Sequence, residues 1–325
     1  MFIETMNHVS QDVTIDTIKR ARERIASTAR RTPLERSRWL SAEHGRDVLL
    51  KLECFQMTGS FKIRGAMAKL SALTEDERAR GVLTVSAGNH GLAVAHCSEL
   101  LRLEATIVVP ESASRAKVDA IRGYPVMLIE RGATYDDAER AARELERESG
   151  MTFVSPYNDP EVIAGQGTIG LEILEQRDDV EAVAVPVGGG GLIAGVAIAV
   201  KTINPRIQIY GAEPLTSPTM TAALEAGHIV EIEEQETIAD GCAGNIEPDS
   251  ITFPNIQRLV DGVILVDEGS IRNAIARVAR EDHLIIEGAA AVGVAALDDA
   301  RLEGLCIATV VSGRNISLEF FAELI

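Results

Sequence analysis

Short runs rich in β-branched residues alternate with longer segments of helical period from about residue 47 to the end of the chain. Strands that run parallel need crossover connections, so this alternation implies βαβ units and an α/β fold built on parallel sheet. The expected strands are Val48–Leu52, Val82–Val85, Ala105–Val109, Val126–Ile129, Thr152–Val154, Ala182–Val187, Ile207–Tyr210, Val263–Val266 and Cys306–Val311. Several are apolar throughout, the pattern of strands covered on both faces. Ile15–Ile25 reads as a helix capped by Thr14, and the charged run Tyr135–Ser149 as a solvated surface helix.

A chain of 325 residues predicts two domains at roughly 150 residues each. No repeat or long linker separates them. Residues 81–157 carry their own strand and helix units, while strands near 48–52 and after 182 imply a sheet assembled from both chain ends. The expectation is a larger unit of residues 1–80 and 158–325 with a smaller one, 81–157, inserted in it.

Lys and Arg number 32 and Asp and Glu 49, a formal charge of −17 that repels nucleic acid and anionic membrane faces. Aromatic residues make up only 4%, so the apolar mass is aliphatic and offers no stacking platform. Cys54, Cys97, Cys242 and Cys306 lie far apart, which argues against a zinc knuckle or a redox dithiol and for reduced, buried thiols. Met1-Phe2-Ile3-Glu4-Thr5 lacks a basic leader, and no apolar stretch reaches the roughly 18 residues of a membrane helix. A cytoplasmic protein is expected.

Three strand-to-helix junctions carry chemistry. Gly188-Gly189-Gly190-Gly191 stands between Ala182–Val187 and the apolar helix Leu192–Ile203, where backbone N–H groups and the helix dipole favour a phosphate. The same loop fits a dinucleotide fingerprint, Gly189-x-Gly191-x-x-Ala194 with Glu213 about 20 residues on, so taken alone it leaves NAD open. In Thr58-Gly-Ser-Phe-Lys-Ile-Arg-Gly-Ala66, Ser60 is placed to cap a helix with Lys62 in its first turn. The positive helix end disfavours a charged amine there, the condition for a Schiff-base lysine. Ser86-Ala-Gly-Asn-His-Gly91 forms a second anion cradle suited to a carboxylate, with His90 in a binding role at most. Ser312, after the last strand, offers a neutral hydroxyl.

Together with Ile163–Thr168, Thr237–Gly241 and Ser312-Gly-Arg-Asn315, these motifs resemble, in matching order from about residue 15 to 317, the fold-type II pyridoxal-phosphate enzymes of the threonine/serine dehydratase and serine racemase group. The resemblance implies a tryptophan synthase β-like fold of two parallel-sheet α/β domains, the smaller one mobile. It makes Lys62 the catalytic residue and cofactor anchor, with Phe61 against the ring and Asn89 on its phenolic oxygen. Gly188, Gly189, Gly190 and Gly191 would hold the phosphate and Ser312 would face the pyridine nitrogen, with Gly241 and Glu287 also lining the pocket. Ser86, Gly88, Asn89 and His90 would take the substrate carboxylate. A homodimer or homotetramer is expected, with a small amino acid as partner.

The implied reaction is dehydration and deamination of threonine or serine to a 2-oxo acid and ammonia. Ala87 stands where the racemases carry a second serine as base, so racemisation is a minor outcome. Thr219 stands where their divalent-cation site has an aspartate to partner Glu213, and one carboxylate is a weak cation site; no bound magnesium is expected. Arg314 and Glu287–Leu297 look more like the hydroxyectoine-utilisation dehydratases, which keeps a hydroxyectoine-derived substrate, or 3-hydroxyaspartate, as the alternative. No C-terminal regulatory domain is expected after residue 325. An NAD oxidoreductase or a non-catalytic amino-acid-binding module would leave Ser60–Ala66 and Ser86–Gly91, or the reactive lysine, unexplained.

Overall fold

The computed structural model describes residues 12–233 and 235–325. Residues 1–11, on which the expectation about a leader falls and where the larger expected unit begins, lie outside the described residues. The strands are β1 (Leu34–Arg36), β2 (Val48–Lys51), β3 (Val82–Val85), β4 (Ala105–Val109), β5 (Met127–Glu130), β6 (Thr152–Phe153), β7 (Ala182–Pro186), β8 (Gln208–Pro214), β9 (Gly262–Val266) and β10 (Ile307–Val310). They form a six-stranded sheet, β1-β2-β10-β7-β8-β9, and a four-stranded sheet, β5-β4-β3-β6. The last strand lies between β2 and β7, with Ile307 opposite both Val48 and Ala182, so the two chain ends do meet in one sheet.

Every pairing is parallel except that of β1 with β2, which is antiparallel. The larger sheet is therefore mixed rather than wholly parallel. β1 was not legible because three residues, Leu-Glu-Arg, hold no β-branched run. The helices follow the sequence more closely. Thr14 accepts a hydrogen bond from Thr17 N, and the helix Ile15–Ile25 buries Ile18, Ala21 and Ile25 on one face. Tyr135–Ser149 buries only Ala138, Ala141 and Ala142.

One apolar layer joins Ile18, Ile63, Ile163, Ile193 and Val196 on one face of the larger sheet, and a second joins Leu50, Ala184, Ile264, Ala290 and Val292 on the other. The helices Pro160–Gln176 and Gly191–Ile203 cross at glycines: a Cβ on Gly195 would lie 2.4 Å from Ile163 O and 2.6 Å from Gly167 N. Only hydrogen fits at that crossing.

Charges lie inside this apolar frame. Arg64, on the helix Lys62–Ser71, donates to both oxygens of Glu53 at 2.8 Å and to both of Glu172 at 2.7 and 2.9 Å. Lys51, at the end of β2, donates to Glu172 Oε2 at 2.6 Å, and all four side chains are buried. Burial works to raise the Glu53 pKa, but Arg64 overrides it and holds the carboxyl below its usual value. Burial likewise pulls Lys51 down, against the attraction of Glu172. Removing one member of such a cluster strands the others without compensation. Arg64→Ala is expected to lower the unfolding free energy by about 3–5 kcal/mol in a denaturant titration. A loss below about 1 kcal/mol, the scale of an exposed pair, would contradict this account.

Candidate active site

β2, β10 and β7 are neighbours and run parallel, so their C-terminal ends open on one edge, where ligands of open α/β sheets bind. The segment leading to Lys62 follows β2, Ser312 follows β10 and Gly188–Gly191 follows β7. The site is thus set by strand order. Ser86–Gly91 follows β3 of the smaller sheet and faces the same cleft: Asn89 Nδ2 donates to Glu287 Oε1 at 2.7 Å, and Asn315 Nδ2 to Asn89 Oδ1 at 2.6 Å.

Lys62 is the first residue of its helix, with Phe61 at the N-cap position. The expected Ser60 cap is not made. Ser60 instead pairs with Gly313 in an antiparallel bridge, Phe61 N donates to Ser312 O at 3.0 Å, and the helix starts beyond them. Lys62 Nζ donates to Pro156 O at 2.9 Å and lies 5.2 Å from the Phe61 ring centroid. Desolvation pushes the Lys62 pKa down to about 8, with Glu287 among the groups opposing it, so near neutral pH a useful fraction of the amine is unprotonated.

The helix Gly191–Ile203 has no side-chain cap, and neither does Asn89–Leu101, whose N-cap is Gly88. Their first N–H groups are left for ligands, and each dipole adds positive potential. A Cβ on Gly188 would lie 3.0 Å from Gly241 O and 3.1 Å from Cys242 Cα, so Gly241 backs the glycine loop. Gly190 takes φ +86°, a conformation that glycine adopts freely.

Ser86 Oγ accepts from Gly88 N at 3.1 Å, which tightens the second loop. His90 is buried and its Nε2 meets Val154 O at 3.0 Å; desolvation pushes its pKa down to about 3. The ring is therefore neutral, with Nε2–H donating to the Val154 carbonyl, and His90 can offer a carboxylate its backbone rather than a charge. Glu287 accepts from Asn89 and, through Oε2, from Asn315 N at 3.0 Å; burial and Asp240 push it up to about 7.

Glu213 does not remain free for a ribose or a cation. It is buried and accepts from Met220 N, Thr221 N and Thr221 Oγ1 at 2.7–2.9 Å, so it caps the helix Thr219–Ala226. That use leaves the dinucleotide fingerprint without its acidic partner. No group of three or more metal-ligating side chains occurs among the described residues. Cys54, Cys97 and Cys242 are free and buried, and Cys306 is free and half-buried. The sequence reading missed Tyr157, whose ring packs against Gly189, and the Pro156 carbonyl that holds Lys62.

A lysine amine depressed toward neutrality, in a cleft that two uncapped helix starts also line, suits a carbonyl compound that carries anionic groups. The chain belongs to the family of pyridoxal-phosphate-dependent enzymes, whose model matches residues 25–313. It is 42% identical to an L-threonine ammonia-lyase of Thermotoga maritima over 96% of this chain and 78% of that one. It is 38% identical to the catabolic L-threonine dehydratase of Escherichia coli over 98% of both chains. Among solved structures, maize serine racemase superposes with a TM-score of 0.91 at 36% identity over 96% of both chains.

The residues present fit pyridoxal phosphate. An uncapped helix start behind a backbone-walled glycine loop suits its phosphate, and the depressed amine of Lys62 suits its aldehyde. In the cofactor-free protein, the fastest-reacting lysine toward trinitrobenzenesulfonate, read by peptide mapping, is expected to be Lys62, half-maximally reactive near pH 8. An inflection near the ordinary lysine value of about 10.4 would show that the site does not depress it.

Proposed function

We propose that this protein is a pyridoxal-phosphate-dependent ammonia-lyase that converts threonine or serine to the 2-oxo acid and ammonia. The observation that carries the reading is Lys62, its amine on the Pro156 carbonyl next to the residue that packs on the glycine loop, with Ser312 bonded to the neighbouring Phe61 backbone. The likeness to two threonine-dehydrating relatives supports the substrate class.

Pyridoxal phosphate, when bound, supplies an electron sink that makes the substrate Cα–H acidic. Everything else falls to the chain. Gly188–Gly191 and the helix behind them hold the phosphate, and the start of the Asn89 helix, with Ser86, holds the carboxylate. Fixing both anions orients the amino acid, and the neutral Lys62 amine takes the Cα proton. Ser312 would offer the pyridine nitrogen a hydroxyl rather than a carboxylate, and so would supply no charge to keep that nitrogen protonated. That choice favours loss of the β-hydroxyl over reprotonation. Ala87 turns its methyl onto the apolar layer of Ala95, Ile107 and Ile121, and a methyl cannot return a proton. Elimination is therefore the main outcome and racemisation the minor one.

The smaller sheet and its helices are proposed to close over the cleft. Asn89 with Glu287, and Lys117 with Asp240, already bridge the two sides. The family likeness supports a homodimer or homotetramer in the cytoplasm. The alternative substrate, hydroxyectoine-derived or 3-hydroxyaspartate, rests on Arg314, which is exposed with its guanidinium 5.9 Å from the Phe55 ring centroid, and on Glu287–Leu297.

The cofactor-loaded protein should release ammonia and 2-oxo acid in equal amounts from threonine or serine. Lys62→Ala is expected to lower kcat by about 10³-fold or more. Turnover of 3-hydroxyaspartate with none of threonine or serine would overturn the substrate assignment.

A further inference from the structure

The glycine loop is shaped by a side chain that lies outside it. A Cβ on Gly189 would sit 2.4 Å from Tyr157 Cδ1 and 2.5 Å from its Cε1 and Cγ. One on Gly191 would meet Tyr157 Cα and Cβ at 2.9 Å and its carbonyl oxygen at 3.1 Å. Real Cβ atoms do not approach so closely. Gly189 is therefore demanded by the Tyr157 ring, and Gly191 by the backbone and Cβ of the same residue, whatever the phosphate requires.

Tyr157 is itself held at both ends. Its hydroxyl accepts from Glu247 N at 2.9 Å, and its ring packs on the main apolar layer. Next to it, Asn158 donates to Glu247 Oε2 at 2.7 Å and accepts from Ile251 N at 2.9 Å. On the other side, Pro156 gives its carbonyl to Lys62 Nζ at 2.9 Å. Thr252 Oγ1 donates to Gly189 O at 2.8 Å, so Gly189 is gripped by a ring and by a hydroxyl on its carbonyl. A displaced ring would free the loop and shift the peptide unit on which the lysine rests.

We propose that Tyr157 is the positioning residue of the cofactor site: its pinned ring fixes the Gly189–Gly191 backbone and, through the adjoining Pro156 carbonyl, the Lys62 amine. This role rests on the pyridoxal-phosphate reading and adds to it a residue that lies outside the glycine loop and outside Lys62's helix. The ring does the positioning, and the hydroxyl anchors it.

The test is a double-variant cycle read as the dissociation constant of pyridoxal phosphate, with thermal melting to confirm folding. Tyr157→Ala is expected to weaken binding about tenfold or more, and Tyr157→Phe, which keeps the ring, to stay within about threefold of wild type. Gly189→Ala in the wild-type background should weaken binding strongly, because its methyl enters the ring. In the Tyr157→Ala background the same methyl finds space, so Gly189→Ala should cost at least tenfold less. Equal costs in the two backgrounds would overturn the proposal, as would a Tyr157→Phe variant as weak as Tyr157→Ala. Tyr157→Leu runs the same cycle if the alanine variant does not fold. Cofactor binding by the wild type without turnover of threonine or serine would sink the proposed activity and leave the cycle readable.

Discussion

Arg64 holds two buried carboxylates, Glu53 and Glu172; burial opposes the ionisation of Glu53, and Lys51 balances the second. These groups come from the end of β2, the turn after it, the Lys62 helix and the long helix Pro160–Gln176. A bidentate guanidinium has fixed angles, so the pairing sets not only the distance but the rotation of the Lys62 helix against its neighbours. Lys62 is two residues before Arg64 on that helix. A network buried among side chains thus decides where a reactive amine stands at the cleft edge.

The second constraint is strand order. With β2, β10 and β7 side by side, three turns distant in sequence deliver a lysine, a hydroxyl and a glycine loop to one edge. The cleft needs positive potential to receive a phosphate and a carboxylate, although the chain carries a formal charge of −17. Backbone supplies it, through uncapped helix starts at Gly191 and Asn89. Net charge describes encounters at the surface, and these N–H groups act within a few ångströms. Both statements hold for the same molecule.

The sequence was most legible where the signal is local. Strand, small-residue turn and helix in succession mark Gly188–Gly191 and Ser86–Gly91, and the Thr14 cap and the Tyr135–Ser149 helix stand where periodicity puts them. Reading failed where a distant partner overrides the local preference. Ser60 looks like a cap until Gly313, more than 250 residues on, takes its backbone into a bridge. Lys51 and Arg64 drew no reading, because neither carboxylate partner is visible from composition or period. Glu213 at a strand end allowed a ligand role or a structural one, and only the fold shows it capping the helix that starts at Thr219. Tyr157 left no signal: its meaning lies in a contact with Gly189, 32 residues away, and an aromatic after proline is unremarkable by itself.

The account's central claim is that the fold delivers one amine, that of Lys62, to the cofactor. Borohydride reduction of the cofactor-loaded protein followed by peptide mass mapping reads it directly. A single pyridoxyl adduct on the peptide containing Lys62 is the predicted result. An adduct on Lys51, Lys69 or Lys117, with Lys62 unmodified, would contradict the account.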